Sequence, residues 1–188
     1  MTDEAQWIAN VLEGDKQSFA FLVSKYERMA YTLAFRIVGN REEAEEVVQD
    51  AFVKMYRSLP NFRGSCKFSS WFYQIVYHTA ISSLRSPHFF SDFESVEVTD
   101  VTVAEQETAS ALLEAKDRKE IISQTLKALA RDEALLLTLY YLEECSVEDI
   151  CQITELSPSN VKTKLFRARK HFYSALEKKM KQETKNLL

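Results

Sequence analysis

Apolar residues recur along most of this chain at spacings of three and four, the period of helices that bury one face. Phe19, Leu22, Val23, Tyr26, Ala30, Leu33, Ala34 and Ile37 form one such face over a long helix running from Asp15 to Val38, with Gly39 as its stop. A short helix near Glu4 to Glu13, ended by Gly14, precedes it. Asn40 caps the next helix, with Glu43 three residues on and Glu42, Glu45 and Glu46 in the first turns, where the macrodipole favours negative charge. That helix is expected to reach about Leu59, before Pro60. Its buried stripe is Val47, Ala51, Phe52, Met55 and Tyr56, which leaves Gln49, Asp50, Lys54 and Arg57 outside, a face that ordinary solvation explains equally well. Another helix begins near Ser69 or Ser70. Later come helices near Ala109 to Leu129 and from about Asp132 to Leu142. Three glycines and three prolines leave few breaks, and the fold class is all-α.

Ser146 to Tyr173 predicts two shorter helices joined by a tight turn. Ser146 stands three residues before Asp149, and Ser157 precedes Pro158, whose fixed φ suits a first helical position. In the second of these helices Val161, Leu165, Ala168 and Phe172 make one apolar stripe for the core. Ser159, Thr163, Phe166, Arg167 and Lys170 fall on the opposite face, flanked by Lys162, Lys164 and Arg169. The pattern is that of a helix-turn-helix.

Charge sharpens this picture. The 188-residue chain is formally at −4, yet residues 157 to 171 hold five Lys or Arg and no Asp or Glu, so local charge points to nucleic acid. The N-terminus carries acids where a secretory signal has Lys or Arg, and no apolar run approaches the roughly 20 residues of a membrane span. A cytoplasmic protein without direct membrane insertion is expected. Cys66, Cys145 and Cys151 are odd in number and lack CxxC spacing, which supports neither a disulfide framework nor a zinc site. His78, His88 and His171 are scattered. With no phosphate-binding glycine loop and no triad, neither catalysis, nor a cofactor, nor a small-molecule substrate is indicated.

Between Pro60 and Arg85, Phe62, Phe68, Trp71, Phe72, Tyr73 and Tyr77 are interleaved with Arg63, Lys67 and His78. Rings stack on bases and cations meet phosphates, so this stretch suits unpaired nucleotides, each ring-base stack being worth about 1–3 kcal/mol. A core role is the better reading for Trp71, Phe72, Ile75 and Val76, and nucleotide contact for Arg63, Lys67 and Phe68. From Ser86 to Glu114 the chain has seven acids and no Lys or Arg, an acidic linker whose Phe89, Phe90 and Phe93 suggest docking of its first part. The basic tail KKMKQETKNLL is expected to fray.

In order and spacing, these blocks resemble a bacterial RNA polymerase sigma factor of the extracytoplasmic function (ECF) group of the sigma-70 family. The resemblance rests on Asp15, Phe19 and Leu22 to Tyr26, on EEAEEVVQDAFVKMY, on Phe62 to Gly64 followed by SSWFYQIVYHTAISSLR, and on LYYLEECSVEDICQITELSPSNVKTKLFRARKHF. It implies two small helical domains joined by the acidic linker: region 2 over 1–88, the linker over 89–110 and region 4 over 111–188. Region 2 would dock on core RNA polymerase through Gln49, Asp50, Phe52, Tyr56 and Arg57. It would hold the melted minus-ten strand with Phe62, Arg63, Cys66, Lys67, Phe68, Trp71, Tyr73 and His78. Region 4 would read the minus-thirty-five element as duplex, with Lys162, Thr163, Phe166 and Arg167 at base edges and Ser157, Ser159, Lys164, Arg169 and Lys170 on phosphates. The partners implied are core RNA polymerase, promoter DNA and an anti-sigma factor.

Two departures from the family pattern matter. Glu155 stands where the turn often has glycine, so it must avoid a strongly positive φ or bear strain. Tyr77 and His78 replace a frequent Arg-Asn pair, which implies an unusual minus-ten preference. The competing readings are a polymerase-independent helix-turn-helix regulator, which has no need of the first block, and a helical adaptor that binds proteins only.

Overall fold

The computed structural model describes residues 3–84 and 115–186, with side chains over 4–84 and 121–181. The linker from Ser86 to Glu114, with Phe89, Phe90 and Phe93, lies outside the described residues. Two helical units are present. The first comprises α1 (Asp3–Leu12), α2 (Lys16–Val38), α3 (Arg41–Ser58), a short 3-10 turn (Leu59–Asn61) and α4 (Phe68–Ser83). The second comprises α5 (Ala115–Lys127), α6 (Arg131–Leu137) with a π-helical turn (Thr138–Leu142), α7 (Val147–Thr154) and α8 (Pro158–Asn186). Among the described residues there is no strand.

The helix ends follow local chemistry. Asp15 accepts from the Gln17 and Ser18 amides at 2.9 and 3.1 Å and starts α2; Gly39, at φ 74° in the left-handed region, ends it. Asn40 at once caps α3 by accepting from the Glu42 and Glu43 amides. Ser146 and Asp149 form a reciprocal capping box at the start of α7. The tail does not end where fraying was expected: α8 continues to Asn186, because no Gly or Pro follows Pro158 and Lys, Gln, Glu and Met are good helix formers.

In the first unit α2, α3 and α4 pack mutually around Leu22, Leu33, Ile37, Met55, Leu59 and Phe72, all essentially inaccessible. In the second, α6 and α8 enclose Leu135, Leu136, Leu139, Ile150, Ile153 and Leu165. Tyr56, expected in the buried stripe of α3, instead lies outside, 45% exposed, its ring set edge-on to Phe19 at 4.9 Å. The units do not stand apart. α4 lies against α7 and α2 against α6, so their buried apolar residues form one contiguous cluster. No described helix is long and apolar enough to cross a membrane.

Candidate nucleic-acid interface

The outer surface of α8 is built from its inner one. Val161, Leu165 and Ala168 are fully buried and Phe172 is half-buried, which fixes the rotation of the helix. That rotation leaves Ser159, Lys162 and Lys170 exposed, with Thr163, Phe166 and Arg167 partly so. Ser157 is the start of the helix: its Oγ accepts from the Asn160 amide at 3.3 Å and its carbonyl from the Val161 amide at 3.0 Å. The turn before it is strained as anticipated, because Glu155 sits at φ 60° and closes α7 by donating its amide to the Cys151 carbonyl at 2.9 Å. For a non-glycine residue this conformation costs about 1–2 kcal/mol.

Two flanking cations differ from expectation. Lys164 is buried beside Asp132, with Nζ 3.6 Å from the carboxylate; burial pushes its pKa down and Asp132 partly offsets that. It holds α8 on α6 and is not a phosphate contact. Arg169 lines an apolar groove of about 360 Å³ with Ile122, Leu126, Tyr141, Phe172 and Tyr173, and its Nε donates to the Leu165 carbonyl. Nearby, the His171 ring Nδ1 lies 2.6 Å from the buried Glu133 carboxylate, a second link between α8 and α6.

In the first unit the aromatic stretch folds largely on itself. Phe62, Phe68 and Trp71 form a triangle with ring centroids 5.0–5.5 Å apart, and Tyr26 adds a fourth ring at 5.6 Å from Phe68. Phe68 is therefore core, buried to 4% exposure, and not a free stacking platform. Tyr73 is likewise buried, at 3% exposure; its OH donates to Glu143 at 2.5 Å, and desolvation followed by that bond drives its pKa up. Burial pushes Tyr77 up to about 12. What remains outside is Arg63 and Lys67, with Phe62, Cys66, Trp71 and His78 half-exposed around them. Gly64 at φ 68° turns the loop that carries these residues.

On α3, Gln49, Asp50, Tyr56 and Arg57 share the outer face, whereas Phe52 is buried, 4.9 Å from Phe72, and packs the core. Val53 stands among the exposed residues at 48% exposure and was missed by sequence reasoning; an apolar residue amid that polar face was its signal. Lys54, expected outside, reaches α4 and donates to Thr79 at 3.1 Å.

Contacts between the units were also not anticipated. Ser70 donates to Asp149 at 2.8 Å, Tyr73 to Glu143, and the His78 ring Nε2 lies 3.3 Å from Glu155. Arg131, at the start of α6, donates to the Val38 and Ile37 carbonyls at 3.0 and 3.3 Å, over the C-terminal end of α2. Burial raises the Cys145 thiol to about 12, which makes it inert. Among the described residues no cluster of His, Cys, Asp and Glu is arranged to hold a metal.

Two helical units, one ending in an outward cationic helix of a helix-turn-helix and the other carrying a cationic loop over an aromatic core, define a helical protein with two surfaces suited to nucleic acid. Family models agree unit by unit: sigma-70 region 2 matches residues 22–88 and sigma-70 region 4 matches residues 119–172. The chain is 33% identical to the RNA polymerase sigma-H factor of Pseudomonas aeruginosa, over 93% of this chain and 94% of that one. It is 35% identical to the ECF RNA polymerase sigma-E factor of Haemophilus influenzae, over 90% and 92%. The fold is similar to that of CnrH in complex with the cytosolic domain of CnrY, with a TM-score of 0.61, 17% identity and coverage of 93% and 97%. It is also similar to RpoE in complex with the anti-sigma factor NepR from Bartonella quintana, with a TM-score of 0.60, 20% identity and coverage of 86% and 98%. The chain belongs to the sigma-70 family, among its ECF RNA polymerase sigma factors. Its function is that of a sigma factor, promoter-specific initiation of transcription with core RNA polymerase.

Proposed function

We propose that the two units divide promoter reading between them, residues 1–88 acting on the melted minus-ten strand and on polymerase, residues 111–188 on the minus-thirty-five duplex. The observation that carries this is the orientation of α8. With Val161, Leu165 and Ala168 anchored, the face left for DNA is Ser159, Lys162, Thr163, Phe166, Arg167 and Lys170. Arg167 forks to a guanine and Phe166 packs on a thymine methyl, while Ser159 and Lys170 position the helix on phosphates. In the first unit Arg63 and Lys67 hold the backbone of the unpaired strand, and the exposed edges of Phe62 and Trp71 with Cys66 and His78 line the place for a base. Polymerase docks on Gln49, Asp50, Val53, Tyr56 and Arg57. The protein acts in the cytoplasm, carries no cofactor and performs no catalysis itself; the chemistry of RNA synthesis belongs to the core enzyme. An anti-sigma factor holds it inactive, as the names of its structural neighbours suggest by analogy.

The test is run-off transcription. Purified core bacterial polymerase is expected to gain promoter-specific initiation on adding this protein, and to lose it with Arg167→Ala while still binding the variant. No complex with core and no initiation from any promoter would overturn the reading.

A further inference from the structure

A cleft of about 610 Å³ runs between the units, away from both recognition surfaces. One side is a stripe of α2, where Lys25, Arg28, Thr32 and Arg36 recur at spacings of three and four. The other side is largely apolar, with Ile122 and Leu126 on α5 and Leu142 in the π-helical turn. Lys25 is already paired with Glu4. Arg36 has no such partner: its Nε is buried without a hydrogen-bond acceptor, and burial alone pushes its pKa down. The buried Lys164, by contrast, has Asp132 beside it. A desolvated cation without a counter-charge is costly, so an anion entering this cleft gains a pairing that the fold leaves unmade.

The two ends of the cleft differ in charge. At one end Glu143 accepts from Tyr73, and its charge also reaches Tyr26. Arg36 lies ten residues beyond Tyr26, about 15 Å further along α2. Arg28 and Arg36 are themselves about 12 Å apart along the helix, a spacing that suits a run of phosphates better than a single one. We propose that this cleft binds a purine nucleoside polyphosphate, Arg28 and Arg36 forking to its phosphates, Ile122, Leu126 and Leu142 covering sugar and base, and Glu143 accepting from an amino group of the base. The ligand is an effector, neither substrate nor cofactor, and the site is independent of how promoter reading is divided. Because its walls come from both units, the nucleotide binds them joined and favours that arrangement.

The experiment is equilibrium dialysis of the full chain against radiolabelled GTP and ATP, with guanosine and inorganic tripolyphosphate as competitors. Saturable binding of one nucleotide per chain is expected, with guanosine and tripolyphosphate each weaker by about tenfold or more, since each keeps only one half of the contacts. Arg28→Ala and Arg36→Met are each expected to weaken nucleotide binding by about tenfold, and Ile122→Glu, which sets a carboxylate in the apolar wall, by at least as much. Should Arg36→Met fold poorly, which loss of a cooperative melting transition reports, Arg28 and Ile122 are exposed and their variants carry the test. The double variant Arg167→Ala/Lys170→Ala, on the outer face of α8, is expected to keep the nucleotide affinity of the parent chain. No saturable binding of either nucleotide up to about 1 mM overturns the site. So does an affinity that falls in the α8 double variant and not in Arg28→Ala. Tripolyphosphate that competes as well as GTP overturns the nucleoside assignment.

Discussion

The two recognition surfaces are made in opposite ways. On α8 the core-facing stripe is narrow, so most of the remaining surface is polar, and Lys162 and Lys170 point outward while Lys164 is turned in against α6. On α4 apolar and aromatic residues run nearly all round, and Phe68, Phe72, Tyr73, Val76 and Tyr77 are all buried, some against α2 and α3 and some against the second unit. The duplex surface is therefore a property of one amphipathic helix, whereas the strand surface exists only at the edges of a packed aromatic cluster. Substitution should separate these two designs.

The largest effect is expected at Phe68. Phe68→Ala should cost about 3–5 kcal/mol of stability in urea denaturation, as a buried ring does; a loss below about 0.5 kcal/mol, typical of a surface change, would return Phe68 to the strand surface. Next is Asp132→Ala, which takes away the carboxylate 3.6 Å from the buried Lys164 cation and should cost about 2–3 kcal/mol, whereas Lys164→Met should be tolerated and leave the salt dependence of duplex binding unaltered. Arg167→Ala should lose about 1–3 kcal/mol of discrimination at one base pair in a competition assay, while Lys170→Ala weakens all duplexes alike and lowers the salt slope by about one. Loss of discrimination at Lys170 with none at Arg167 would reverse their roles. Smaller still, Glu155→Gly should raise the stability of the helix-turn-helix by about 1 kcal/mol through relief of its left-handed backbone, read as a shift in urea midpoint.

The smallest effect is a pH dependence at Asp149. Burial raises its pKa, but hydrogen bonds from Ser70 and Ser146 outweigh this and hold the carboxyl below its ordinary value of 3.8. Its folded value lies under its unfolded one, so its contribution to stability is complete above the unfolded value and is lost as the pH falls through the folded one. Unfolding midpoints measured below pH 4 should therefore decline less steeply in Asp149→Asn than in the parent chain. Equal slopes would show that the capping box and the Ser70 contact do not depend on its charge.

Much of the fold was legible because the signals that mark it are local. Asp15, Gly39, Asn40 and Ser146 lie within a few residues of the groups they cap, and the stripe on α8 needs only the helical period. Phe68 and Tyr73 were misread because their burial is decided by Tyr26, by Phe62 and by Glu143, residues brought in from other helices. Lys164 sat at the flank of the helical wheel, where only the nearness of Asp132 on α6 decides between solvent and core. The contacts of Arg131, Glu143 and Asp149 with the first unit join positions 70 to 94 residues apart and left no trace in the periodicity.

Gly39 ties the two units together genetically as well as structurally. Its φ of 74° already disfavours a side chain, and a Cβ added there would lie 2.2 Å from Nη2 of Arg131, a residue of the other unit. Any replacement must push that guanidinium off the Val38 carbonyl, so an allele altered at position 39 would display the phenotype of one altered at 131. The two positions are thus a linked pair in inheritance, each limiting what the other can become, although 91 residues, the linker among them, lie between them.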